Sequence, residues 1–142
     1  MKKKILILAG GFSKEREISL RTAMGVFNQI NKKYHVKICE PNGLLIKNLR
    51  SFKPSVVFNA LHGRYGEDGY IQSILESEKI KYTHSGPLSS SIAIDKEISK
   101  KLFIKNNILT PKYFKFNFNK FIKKNTLIKK IKSQLNFPVV IK

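Results

Sequence analysis

The alternation of short apolar runs with helix-periodic stretches, joined by brief links, constrains this chain more than any other feature. Residues 4–9, KILILA, form a continuous apolar run that ends in Gly10-Gly11, the pattern of a strand buried on both faces. A helix is predicted next: Ser13 suits its N-cap, Glu15 and Glu17 suit its positive end, and Ile18, Ala23, Val26, Phe27 and Ile30 recur at helical spacing. Residues 34–39 read as a second strand, 43–52 as a helix, and 56–61 as a third strand. The turn HGRYGEDG (62–69) follows, then a helix from Tyr70 to Glu78 and a fourth strand in YTHSG (82–86). This β-α-β-α-β-α-β order predicts an α/β fold, a parallel sheet covered by helices on both sides. Its ligand loops lie at the carboxyl ends of the strands, where both glycine-rich turns fall.

After Gly86-Pro87 the character changes. Residues 89–106 read as one helix rich in lysine, 113–116 as a strand, 126–135 as a basic helix and 138–142, PVVIK, as a last strand. The segment holds too little apolar surface to close a core alone. The expected organisation is a first domain over 1–90 and the start of a second, incomplete one over 91–142.

Composition narrows the function classes. With 42% hydrophobic and 26% charged residues the chain has globular proportions, which excludes a disordered or collagenous protein. The single cysteine, Cys39, precludes an internal disulfide and suits a reducing compartment. No apolar run approaches the length of a membrane helix, and the run at 5–9 is too short for a signal peptide. A soluble cytoplasmic protein without membrane partners is expected. The formal net charge of +19 raises nucleic-acid binding. However, 24 of the 28 basic residues are lysine, beside 18 isoleucines and 11 asparagines, as an AT-rich coding sequence produces. Base readers rely on arginine, and only four are present, so no nucleic-acid partner is expected.

Four constellations carry chemistry. GGFSKERE places a strand end, two glycines and a helix start together, an anion-site geometry; yet its acids would repel phosphate and favour an ammonium group. Read alone, Glu15 is more simply a dipole-satisfying surface acid. His62 follows a strand, where α/β enzymes hold functional side chains, whereas Asp68 suits a structural cap. In SGPLSSSIAIDK (85–96) Lys96 alone would be a surface lysine, and Lys142, ending PVVIK, either snorkels outward or projects into a nucleotide site.

Together, GGFSKEREIS, NALHGRYGEDGYIQS, YTHSGPLSSSIAIDK and FPVVIK resemble, in order and spacing, the amino-terminal part of the D-alanine–D-alanine ligase family. HGxxGEDG followed by an apolar residue and Gln-Ser is a highly specific signature, and the resemblance spans essentially the whole chain. It implies a Rossmann-like pre-ATP-grasp domain with a parallel sheet, followed by the incomplete start of an ATP-grasp central lobe. The implied reaction uses ATP and Mg2+ to phosphorylate one D-alanine; the amine of a second attacks the acyl phosphate, giving D-alanyl-D-alanine for peptidoglycan. Glu15 would hold the ammonium of the first D-alanine, Ile18 would line the pocket beside its methyl group, and His62 would stand near its carboxylate. Glu15 and His62 are thus the implied catalytic residues, and Lys96 and Lys142 the implied ATP-binding lysines.

Family members are considerably longer, and their Mg2+ ligands are expected beyond Lys142. The 142-residue polypeptide alone is therefore expected to lack ligase activity. The resemblance also implies a homodimer. Two alternatives stand beside this reading: a non-catalytic truncated product or D-alanine-binding module, and an ATP-grasp ligase for a different amine or carboxylate.

Overall fold

Strand β1 (Lys4–Leu8) is the centre of a three-stranded parallel sheet of order β2-β1-β3, with β2 at His35–Cys39 and β3 at Val56–Asn59. The computed structural model describes residues 2–116, 123–135 and 137–141. Ile5 registers with Val36 on one side and Val56 on the other, and Leu8 with Cys39 and Asn59. A central strand is covered on both faces, which is why KILIL carries no polar alternation: Leu6, Ile7 and Leu8 are completely buried.

The two faces have separate cores. Leu6 and Leu8 pack with Leu45 and Leu49 of α2 (Leu45–Phe52) and with Ile71 and Leu75 of α3 (Tyr70–Ser77). Ile7 and Ala9 pack with Ala23 of α1 (Arg16–Ile30), joined by half-buried Val26, Phe27 and Ile30. Each fully buried Leu or Ile contributes about 1.5–3 kcal/mol relative to an exposed one, so β1 anchors both layers.

Several boundaries differ from the sequence expectations, each for a local reason. Helix α1 begins at Arg16, with Glu15 at the cap position; the Ser13 hydroxyl accepts the Glu15 N–H (3.1 Å) in a turn before the helix. Ile18, expected on the buried face, is 52% exposed, while Ser19 beside it is fully buried. The small Ser19 hydroxyl fits there because it accepts the Gly10 N–H at 2.8 Å. At the start of α3, Gly69 occupies the cap position with φ +94°, and Asp68 accepts the Tyr70 N–H from just outside (3.1 Å). A Cβ on Gly69 would stand 2.5 Å from the Pro87 carbonyl oxygen, so only glycine allows the close approach there.

The fourth strand shrinks to a single parallel bridge between Val57 and Tyr82. Val57 donates its N–H to the Lys81 carbonyl (2.8 Å), but the next donor, Asn59 N–H, goes to the Thr83 side-chain oxygen (3.2 Å), which ends the ladder. The helix expected over 89–106 is two helices, α4 (Pro87–Ile94) and α5 (Lys96–Lys105). They are separated by extended Asp95 (ψ 103°), a residue type that favours helix ends over interiors.

The chain divides into a first compact unit ending at Lys96 and a second beginning at Glu97. Within the second unit, Glu97 pairs with Lys101 (2.7 Å) and with Lys115. Hydrogen bonds from these lysines, Lys101 foremost, hold the Glu97 carboxyl below the usual range. Lys100 donates to Thr110 Oγ1 (2.9 Å) and to the Pro111 carbonyl (2.7 Å). Helix α6 spans Lys124–Gln134. The strands expected at 113–116 and 138–142 do not form among the described residues. With no strand to pair against, Val140 and Ile141 remain more than 80% exposed. Lys142 lies outside the described residues.

Candidate functional site

Two loops, one leaving β1 and one leaving β3, meet at the carboxyl end of the sheet. The Ser13 hydroxyl makes the junction: it donates to the His62 carbonyl oxygen at 2.8 Å while accepting the Glu15 N–H. Gly63, next in the chain, has φ +71°, and a Cβ built on it would lie 2.6 Å from Glu15 Oε2. The Glu15 carboxylate therefore rests against the backbone of the second loop, at the start of α1, where the helix dipole favours a negative charge.

The 62–69 loop is held by its own acids and by two amides beneath it. Glu67 Oε2 accepts the Gly63 N–H (2.9 Å), and Asp68 Oδ2 accepts the Tyr65 N–H (2.8 Å). The Gly66 carbonyl takes hydrogen bonds from Asn59 Nδ2 (2.8 Å) and Gln72 Nε2 (2.9 Å), both buried. Asn59 Oδ1 also accepts the Leu61 N–H (3.1 Å), so one asparagine at the end of β3 shapes the whole turn.

The His62 ring is half-buried between α1 and this loop. Its Nε2 lies 3.1 Å from Thr22 Oγ1, and its Nδ1 lies 3.8 Å from Glu67 Oε1. Thr22 in turn donates to the carbonyl of Ile18, one helical turn back, at 3.0 Å. Of the residues singled out from sequence, Glu15, Ile18 and His62 are thus brought together, with Ser13 and Thr22 as links. Lys96 is not: it is exposed at the start of α5, and its Nζ donates to the Ala93 carbonyl (2.7 Å).

Beside His62 opens a cavity of about 520 Å3, bounded by the Gly10–Ser13 segment, the 41–46 segment that leads into α2, and the first turns of α3. Its walls include Leu61, Ile71 and Ile74, with Phe12, Tyr65 and Tyr70 at exposed positions. An exposed carboxylate and an imidazole on facing loops, beside an apolar recess, suit a small zwitterion carrying an ammonium and a carboxylate. Among the described residues no three His, Cys, Asp or Glu side chains come together as a metal site. Nor is any helix among them long and apolar enough to cross a membrane.

Thr22, Ser19 and Asn59 escaped the reading of the sequence. A signal existed for Thr22, which follows Glu15 by two helical turns and so shares its face. Asn59 had none, because an asparagine ending an apolar run reads as an ordinary strand terminus.

No protein-family model matches the chain. It is 63% identical over 143 aligned residues to a D-alanine–D-alanine ligase of Pelagibacter ubique, covering all of this chain and 46% of that protein. It is 42% identical over 140 residues to the D-alanine–D-alanine ligase of Carboxydothermus hydrogenoformans, covering 98% of this chain and 45% of that one. Its fold superposes on a crystal structure of the Bacillus anthracis D-alanine–D-alanine ligase complexed with ATP, with a TM-score of 0.72 and 32% identity, over 91% of this chain and 43% of that one. The chain belongs to the D-alanine–D-alanine ligase family. It spans less than half the length of the relatives it matches.

Proposed function

We propose that the paired loops form the first D-alanine subsite of an ATP-dependent ligase that joins two D-alanines through an acyl phosphate. One observation carries this reading: Ser13 ties the Glu15 loop to the His62 carbonyl at 2.8 Å, bringing a carboxylate and an imidazole to one mouth. Membership of the ligase family supplies the reaction.

In this reading the Glu15 carboxylate pairs with the ammonium of the first D-alanine, and exposed Ile18 covers its methyl group. His62 faces the carboxylate and offsets its charge. That carboxylate attacks the γ-phosphoryl group of ATP, releasing ADP and leaving an acyl phosphate. The amine of a second D-alanine then attacks the carbonyl carbon, phosphate leaves, and the amine proton is lost. Positioning and charge stabilisation are what such phosphoryl transfer needs from a protein. Lys96 and Lys142 are assigned to the ATP phosphates; an exposed lysine such as Lys96 is long enough to turn towards a nucleotide.

The same reading assigns residues 1–90 to a pre-ATP-grasp domain and 91–142 to the start of an ATP-grasp lobe, in a cytoplasmic homodimer. The test is ATP-dependent formation of D-alanyl-D-alanine by the protein made from the complete reading frame. Glu15→Gln should raise the KM for D-alanine. A frame-complete protein that forms no dipeptide, or an E15Q variant with unchanged KM, overturns the assignment.

A further inference from the structure

Thr22 stands two turns into α1, away from the loop glycines, yet its hydroxyl is within hydrogen-bond distance of the His62 ring, 3.1 Å from Nε2. A threonine hydroxyl has one proton, and here it is committed to the Ile18 carbonyl at 3.0 Å. With the proton on that carbonyl, the oxygen faces the ring as an acceptor, the arrangement that pairs with a hydrogen on Nε2. The other nitrogen, Nδ1, is left bare in the neutral ring, with Glu67 Oε1 at 3.8 Å.

We propose that Thr22 is the positioning residue for His62: it accepts the Nε2–H and so fixes the ring's tautomer and its orientation at the junction of the two loops. The role deepens the D-alanine reading and rests on it. The hydroxyl is itself well anchored, since Thr22 is half-buried and its χ1 is restricted by branching at Cβ and by the bond to the preceding turn. The ring's backbone is fixed from the other side, by Ser13 on the His62 carbonyl. Glu67, across from Nδ1, is itself held by the Gly63 N–H on Oε2 (2.9 Å). Without the threonine oxygen, nothing on the α1 side distinguishes the two ring nitrogens.

The experiment uses the 142-residue chain with 15N-labelled histidine side chains and reads the His62 ring nitrogens by long-range 1H–15N correlation at a pH where the ring is neutral. Wild type is expected to show the Nε2–H tautomer. Thr22→Val, which keeps the shape and removes the oxygen, is expected to give a mixture or the Nδ1–H form, and Thr22→Ser to restore the wild-type pattern. A wild-type ring protonated at Nδ1, or a T22V ring indistinguishable from wild type, overturns the proposal. The same samples are titrated with D-alanine, where T22V is expected to bind about three- to tenfold more weakly, the loss of one hydrogen bond's worth of positioning, and T22S to bind as wild type does. Equal affinity of T22V and wild type overturns the positioning role. A wild-type chain that ignores D-alanine while T22V still loses the tautomer contradicts the D-alanine reading and leaves the anchoring of His62 standing.

Discussion

The Ser13 hydroxyl and the His62 carbonyl oxygen lie 2.8 Å apart, although 49 residues separate them in the chain. This hydrogen bond closes the two loops on each other, and the same hydroxyl oxygen receives the Glu15 N–H. Replacing Ser13 with Ala strands both partners. The expected cost is about 1 kcal/mol of folding stability, read by urea denaturation. Affinity for D-alanine should fall by more than that stability loss accounts for, because Glu15 and His62 are released together. An S13A variant with wild-type affinity would show that the loops hold their geometry without it.

Gly63 is the sharpest steric test of the site. Its positive φ already disfavours any side chain, and the position of a new methyl group is taken by the Glu15 carboxylate, 2.6 Å away. Gly63→Ala is expected to destabilise the fold by about 1–2 kcal/mol and to displace Glu15. Loss of ammonium recognition should therefore accompany the loss of stability. Gly25, exposed on α1 with nothing within 4 Å of a built Cβ, is the control: Gly25→Ala should stabilise the helix by about 0.5–1 kcal/mol.

Acid should act on the layer formed by α2 and α3. Arg50 grips Glu78 through two hydrogen bonds, Nε to Oε2 at 2.8 Å and Nη2 to Oε1 at 2.7 Å. The bond from Arg50 holds the Glu78 carboxyl below its ordinary value of 4.5. A depressed folded pKa means the pair's contribution is complete above the unfolded value and disappears as pH falls through the folded one. Thermal melts of wild type and Glu78→Gln should differ near neutral pH and converge below about pH 4. Parallel melting curves at all pH values would show that the pair contributes nothing.

How much of this was legible in the sequence depended on whether the signal was local. β1 could be read because a strand buried on both faces must be apolar through its buried length, and Ile5–Leu8 is. The helix in Arg16–Ile30 could be read from periodicity, but its exact face could not: Ser19 enters the core in place of Ile18 because of a bond to Gly10, nine residues away. The fourth strand failed for a similar reason. Thr83 places its side chain where a backbone carbonyl was expected, and no propensity records that choice. Glu15 and His62 stood out only as parts of a family signature, since an acid at a helix start and a histidine after a strand are each commonplace. Thr22 left only its place on the Glu15 face of α1, and Asn59, which acts across the fold, left no motif.

The most direct test of the central claim is an NMR titration of the 15N-labelled chain with D-alanine and, in parallel, L-alanine. The account predicts that D-alanine shifts the amide resonances of Glu15, His62 and Gly63, that L-alanine shifts them less, and that Glu15→Gln abolishes the response. Shifts that persist undiminished in E15Q, or resonances at these residues that stay fixed up to saturating D-alanine, would contradict it.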